Sequence, residues 1–258
     1  MEKLLHKNIA ATAMVAVSML AGSGVQAFST TEAQLHFGDG YRLERNGLDE
    51  TARTTITLEH FTAFEHGDVF FFVDLFSDHD GPSTNTQSSH YGEIYGHLNG
   101  SALGLSFGES GFISDIGPDF GINQGDDFLV GLYGLRASFK VPGFNVFTFG
   151  VYAYDNVTDP FDRNLDTTYQ ATFVWNAPFE VGSQKFSAQG FVDFIGDQGA
   201  GVDSQIVFSP QLRWDIGHAF GGAENKYNLG LEYTHFNNKF GVTGVHENSV
   251  SVFIAMKF

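Results

Sequence analysis

Apolar and polar residues alternate along most of this chain with a period of two. In the last segment Val250, Val252, Ile254, Met256 and Phe258 share one face, and Ser249, Ser251, Ala255 and Lys257 the other, with Phe253 the exception. Tyr227, Leu229, Leu231 and Tyr233 alternate in the same way with Asn228, Gly230, Glu232 and Thr234. So do Tyr169, Ala171, Phe173 and Trp175 with Thr168, Gln170 and Thr172, and Phe147, Phe149, Val151 and Ala153 with Thr148, Gly150, Tyr152 and Tyr154. A period of two over segments of about ten residues marks strands with two unlike faces. The pattern predicts strands near 31–42, 52–64, 68–77, 89–98, 109–118, 127–139, 144–154, 166–176, 184–195, 204–215, 226–236 and 247–258. The fifth is the least regular, because residues 99–123 are Gly-rich. No domain linker, long charge run or low-complexity segment is visible.

Alternation alone does not say which solvent lies outside. Composition narrows the choice. The 258 residues include 28 Phe and 31 Gly but only 17% charged residues, with a formal net charge of −17. So acidic a chain does not neutralise phosphates, which argues against nucleic-acid binding. With no cysteine, disulfides, thiolate nucleophiles and thiolate-bound metals are excluded. At the start, Lys3 and Lys7 precede an apolar run over 9–20, and Val25-Gln26-Ala27 places small residues for cleavage before Phe28. This reads as a signal peptide over 1–27, leaving 28–258 as the mature domain. The apolar run is shorter than the ~20 residues a helical span requires.

These features predict an all-β fold, a transmembrane antiparallel β-barrel of about 12 strands in the bacterial outer membrane. Its apolar faces turn to lipid and its polar faces line the lumen. The terminal Phe258, with apolar residues at alternate positions before it, fits such a barrel. Tyr41, Tyr91, Tyr154, Trp175, Trp214, Tyr227 and Phe258 sit at predicted strand ends, where interfacial aromatic girdles belong. An even strand count puts both ends of the barrel on the periplasmic side, so connections alternate between outer loops and periplasmic turns. The outer connections, near 43–51, 78–88, 119–126, 155–165, 196–203 and 237–246, hold Asp49, Glu50, Asp78, Asp80, Asp119, Asp126, Asp155, Asp159, Asp162, Asp197 and Asp203. The predicted turns near 65–67, 99–108, 140–143, 177–183 and 216–225 carry far fewer carboxylates, among them Glu65, Glu180 and Glu224.

Twelve strands enclose a narrow passage, between eight-stranded barrels filled by side chains and the open porins. Alternation assigns Glu59, Asp74, Glu93, Lys185, Asp193, Arg213 and Glu232 to the lumen, with Phe70, Phe72, Phe76, Tyr95, Tyr152 and Phe191. Aromatic faces stack on planar rings, and carboxylates accept hydrogen bonds from hydroxyls and ring N–H groups. The candidate solute-binding set is therefore Glu59, Phe70, Phe72, Asp74, Glu93, Tyr95, Tyr152, Phe191, Asp193 and Arg213. The alternative is a structural ion-pair network, or, for the Phe70-Phe71-Phe72 run, a strand packed on a plug. An acidic entrance predicts neutral solutes over phosphorylated ones, less sharply at high salt.

Other chemistry is weakly supported. Ser89-His90 and Glu232 with His235 supply hydrolase residue types, but no spacing unites them and no G-x-S-x-G elbow is present. No enzyme, cofactor or metal is expected. The loop Asp155-Asn156-Val157-Thr158-Asp159-Pro160-Phe161-Asp162 is oxygen-rich but lacks calcium-loop spacing, so it reads as a solvated acidic loop.

Thr57-Leu58-Glu59-His60-Phe61-Thr62-Ala63-Phe64, then Asp68-Val69-Phe70-Phe71-Phe72-Val73-Asp74, resembles the second and third strands of nucleoside-specific outer-membrane channels of the Tsx/OmpK type. Phe186-Ser187-Ala188-Gln189-Gly190-Phe191-Val192-Asp193-Phe194, running into Gly196-Asp197, resembles the same family. The resemblance spans the mature chain, apart from 99–123. It implies a monomeric 12-stranded barrel passing nucleosides, with Glu59, Phe70, Phe72, Asp74, Phe191 and Asp193 contacting base and sugar. It also implies surface loops that serve phages as a receptor. The alternatives are a closed structural or adhesive barrel and a barrel hydrolase.

Overall fold

The computed structural model describes residues 26–44, 46–79, 89–108, 111–159 and 161–258, without the side chains of residues 26 and 27. The expected signal peptide lies almost wholly outside the described residues, as does Asp80. Twelve strands appear among the described residues: β1 Gln26–Tyr41, β2 Thr51–Phe64, β3 Gly67–Asp78, β4 Ser89–Leu98, β5 Ile113–Gly125, β6 Phe128–Phe139, β7 Val146–Thr158, β8 Thr168–Val181, β9 Gln184–Ile195, β10 Gln205–Asp215, β11 Tyr227–Asn237 and β12 Glu247–Lys257. Each pairs antiparallel with its sequence neighbours, and β1 pairs with β12, so the sheet closes into a barrel with no free edge. Closure satisfies every strand's backbone groups within the wall, the condition for crossing hydrocarbon. Strands of 10 to 16 residues are long enough to span it.

The two faces are inverted relative to a water-soluble protein. Ile56, Leu58, Leu75, Leu135, Val151, Leu231, Val250, Val252 and Ile254 are exposed on the outside. Glu32, Gln34, His36, Thr55, Thr57, Ser249 and Ser251 are buried on the inside. No polar residue type favours burial for its own sake. The arrangement is stable only where the medium outside is apolar, as in a β-barrel of the outer-membrane type.

Three expectations are corrected. The fifth strand runs over Ile113–Gly125, so the expected outer loop 119–126 shrinks to the tight turn Asp126-Asp127 and Asp119 belongs to the wall. Asp119 pairs across from inward-facing His97, and its polarity serves the lumen; a polar inward face mimics a loop. The turn-side connection before it is correspondingly longer, with a 3-10 turn over Gly100–Leu103. Strands β7 and β8 extend to Thr158 and Val181, which places Asp155 and Glu180 in strands. Finally, Tyr41, Tyr91 and Tyr154 are not girdle residues. Tyr41 lies under the inward guanidinium of Arg53, Tyr91 pairs with inward Asp74, and Tyr154 is buried in the lumen core. Trp175, Trp214 and Tyr227 do lie on the outer face, where Trp175 stacks on Phe208 at 6.0 Å.

The charge asymmetry of the connections holds. Asp49, Glu50, Asp126, Asp162, Asp197 and Asp203 lie on one rim, and Glu65 and Glu224 on the other.

Candidate solute passage

The register places all ten sequence candidates on the inner face. Cross-strand partners share a face, and the pairs run continuously: Glu59 beside Phe72, Phe72 beside Glu93, Phe70 beside Tyr95, Thr57 beside Asp74. Phe71, between two inward phenylalanines, points to lipid and stacks on outward His60 at 5.3 Å. The Phe70-Phe71-Phe72 run is thus a wall strand with two inward rings.

The interior is not uniform. Over β4–β9 it is largely filled: Val130, Leu132, Tyr152, Tyr154 and Ile195 form a buried apolar cluster, with Tyr95 and Phe128 packed against it. Tyr152 is buried there and donates its hydroxyl to Asp119 at 2.6 Å. Near the turn-side end, Asp119 joins a polar cluster in which Arg136 pairs with Asp68 and His97 bonds Asp115 at 2.7 Å. On the opposite side, over β10–β2, a second network is buried. Arg213 donates to Glu32 at 2.7 and 2.9 Å and to Gln211 at 2.9 and 2.6 Å. Gln34 donates to Glu32 at 2.8 Å, Gln211 donates to Glu232 at 2.5 Å, and His36 stacks on Phe253 at 4.6 Å. Arg213 and Tyr152 are therefore packed into the walls, each bonded to a neighbouring carboxylate.

Between these walls lies accessible space. Val174 faces inward opposite Phe191, yet 37% of its surface is exposed. An inward apolar residue so exposed borders a gap, not a packed core. Glu59, Phe70, Phe72, Asp74, Glu93, Tyr95 and Phe191 are likewise only partly buried. Phe70 and Phe72 lie 6.1 Å apart, and Phe72 lies 5.8 Å from Tyr91. Two carboxylates among them bind neutral donors, Asp74 accepting from Thr57 at 2.5 Å and Glu93 from the Tyr91 hydroxyl, and the buried Asp193 accepts from Thr172 at 2.5 Å. The passage thus presents rings and acceptors, while inward Arg53, Arg136, Arg213 and Lys239 are each engaged by carboxylates.

Sequence reasoning missed Glu32, His36, Asp119 and Tyr91. For the first two a signal existed: Glu32, Gln34, His36 and Gly38 alternate on the first strand as plainly as the residues chosen elsewhere. The hydrolase combinations dissolve. Ser89 faces the lumen opposite Phe76, while His90 faces outward and binds Asp126 at 2.7 Å. His235 binds Asn248 on the outer face. The acidic loop engages its own side chains: Asp159 accepts from Arg163, and Asp155 from Thr167 at 2.9 Å.

No family model matches the chain. No curated protein matches it either. Among solved structures it is similar to the KdgM porin, at 11% identity and a TM-score of 0.49, covering 90% of this chain and 99% of that one. It is also similar to Pseudomonas aeruginosa OccK11 (OpdR), at 9% identity and a TM-score of 0.40, covering 92% and 97%. The translocator domain of the autotransporter NalP from Neisseria meningitidis matches at 12% identity and a TM-score of 0.38, covering 100% and 98%. Likeness at this level does not extend to function.

Proposed function

We propose that the protein is an outer-membrane channel for passive uptake of small, neutral, ring-bearing solutes, with nucleosides the leading class. The observation that carries this reading is the inward column Phe70, Phe72 and Tyr95, interleaved with Glu59, Asp74 and Glu93, in a barrel whose inward Val174 is left exposed. Rings in such a column offer faces for stacking a base. Carboxylates that accept only from neutral hydroxyls keep lone pairs for ribose hydroxyls or base N–H groups. A polyanion, such as the oligogalacturonate named with the KdgM porin, finds no free inward cation here among Arg53, Arg136, Arg213 and Lys239. The Tsx/OmpK resemblance points to the same solute class, and a monomer suffices because the passage lies within one barrel.

The test is conductance across planar lipid bilayers. Adenosine or thymidine should block the ion current, and a sugar of similar size should not. Absence of any conductance would favour the closed structural or receptor barrel.

A further inference from the structure

Several connections on the loop-side rim are joined to one another. Asp166 donates its backbone N–H to Gln198 at 2.8 Å, Asn156 bonds the Gln198 side chain at 2.9 Å, and Asp203 N–H reaches Gly241 at 3.0 Å. Gly241 is pressed against buried Val202, where an added Cβ would lie 2.2 Å from a Val202 methyl. These contacts stitch the connections after β7, β9 and β11 into one layer.

The layer meets the β1–β2 connection through charge. Lys239, in the β11–β12 connection, is 3% exposed. Its ammonium donates to Glu44 of the β1–β2 connection at 2.7 Å and to Glu247 at the start of β12. Glu44 also pairs with Arg53 at 2.8 Å, and Arg53 with Asp78 at 2.6 Å. Arg53, Asp78 and Glu247 all face inward by register. The side chains of Glu44 and Lys239 therefore lie within the mouth of the barrel, not on its outer surface.

A second, independent feature coincides with this bridge. Leu43, next to Glu44, has φ of 56°, and Phe240, next to Lys239, has φ of 55°. Bulky residues rarely occupy the left-handed region, and they persist there only where the surroundings impose it. A buried bridge joining groups 195 residues apart in sequence is also a poor source of net stability, since desolvation offsets its attraction.

We propose that the Glu44–Lys239 bridge is a latch that holds two strained outer connections together inside the channel mouth, and that its release widens the entrance. The inference rests on the reading of the barrel as a channel. In the latched state the bridge packs the two connections together inside the mouth, over the β12–β1–β2 wall and next to Asp78 at the end of the strand that carries Phe70 and Phe72, so the latch sets how wide the entrance to that column is. Losing either partner parts the β1–β2 connection from the β11–β12 connection and lets Leu43 and Phe240 relax, while the Arg42 N–H still anchors the β1–β2 connection to Glu247.

The experiment is bilayer recording of the full mature chain beside Glu44→Gln, Lys239→Met and their double variant, with heat-modifiable gel migration confirming each barrel. The expected result is a rise in time-averaged conductance of roughly threefold or more, a modest shift for a two-state equilibrium. Both single variants should show the rise, and the double should rise no further than the larger of the two. Glu44→Asp, which keeps the charge but shortens the reach, should give a smaller rise, and it supplies the test if the neutral variants do not fold. Wild-type conductance in folded variants, or simple addition in the double, would overturn the latch alone. Conductance in none of the proteins, wild type included, would overturn the channel reading and the latch with it.

Discussion

Glu32 and Arg213 stand 181 residues apart in sequence and meet inside the barrel at 2.7 Å, both nearly devoid of solvent. The pair ties β1 to β10 across the two strands between them and anchors the network of Gln34, Gln211 and Glu232. Removing one member strands the other as an uncompensated buried charge. Glu32→Gln or Arg213→Met should each destabilise the barrel by about 3–5 kcal/mol, and the double variant by less than the sum. Reversible urea unfolding in lipid vesicles measures this. Additive losses would show that the two groups act independently.

Phe253 breaks the polar pattern of β12 because a glycine makes room for it. A Cβ on Gly230 would lie 2.2 Å from the Phe253 ring, which is 1% exposed and lies below Arg213. Gly230→Ala should force that ring from its place and cost about 1–3 kcal/mol. The same unfolding measurement tests it, and Leu229→Ala on the lipid face serves as a neighbouring control.

Much of this fold was legible because a membrane barrel has two different solvents on its two faces. Val250, Val252 and Ile254 could alternate with Ser249 and Ser251 only if the strand separated lipid from lumen. What residue type could not convey was the face of an isolated aromatic. Tyr91 and Tyr154 sit near strand ends like interfacial residues, yet they point inward. Nor could type show whether an inward group is free. Arg213 and Asp74 look equivalent in sequence, but Arg213 is held by a carboxylate and Asp74 only by a hydroxyl. The Glu44–Lys239 contact carries no local signal, because it depends on where two distant connections come to rest.

Parity along β3 gives an internal control for the solute passage. Phe72 faces the lumen and Phe71 faces lipid. Loss of a stacking contact of about 1 kcal/mol should make nucleoside block of the current roughly fivefold weaker in Phe72→Ala. Phe71→Ala should leave block unchanged. Equal effects in both variants would show that barrel stability, not ring contact, is being read.

At the loop-side rim, Arg163 holds the Asp159 carboxyl below the usual aspartate range, assisted by the backbone N–H groups of Arg163 and Phe161. A depressed native pKa means that the stabilisation is fully present above the unfolded value, about 3.9 for Asp. It is lost as pH falls through the lower native value. Cleavage of the 159–167 connection by pepsin should therefore accelerate as pH drops below about 4. Asp159→Asn should show rapid cleavage without that added acceleration. Matching pH profiles in the two proteins would remove the carboxylate from the explanation.

The most direct test of the central claim is liposome swelling with the refolded mature protein, comparing adenosine or thymidine with a sugar of similar size. Faster nucleoside entry, lost in Phe72→Ala or Asp74→Ala while the barrel stays folded, is the predicted result. Equal entry of nucleoside and sugar, unaffected by either substitution, would contradict a passage selective for ring-bearing solutes.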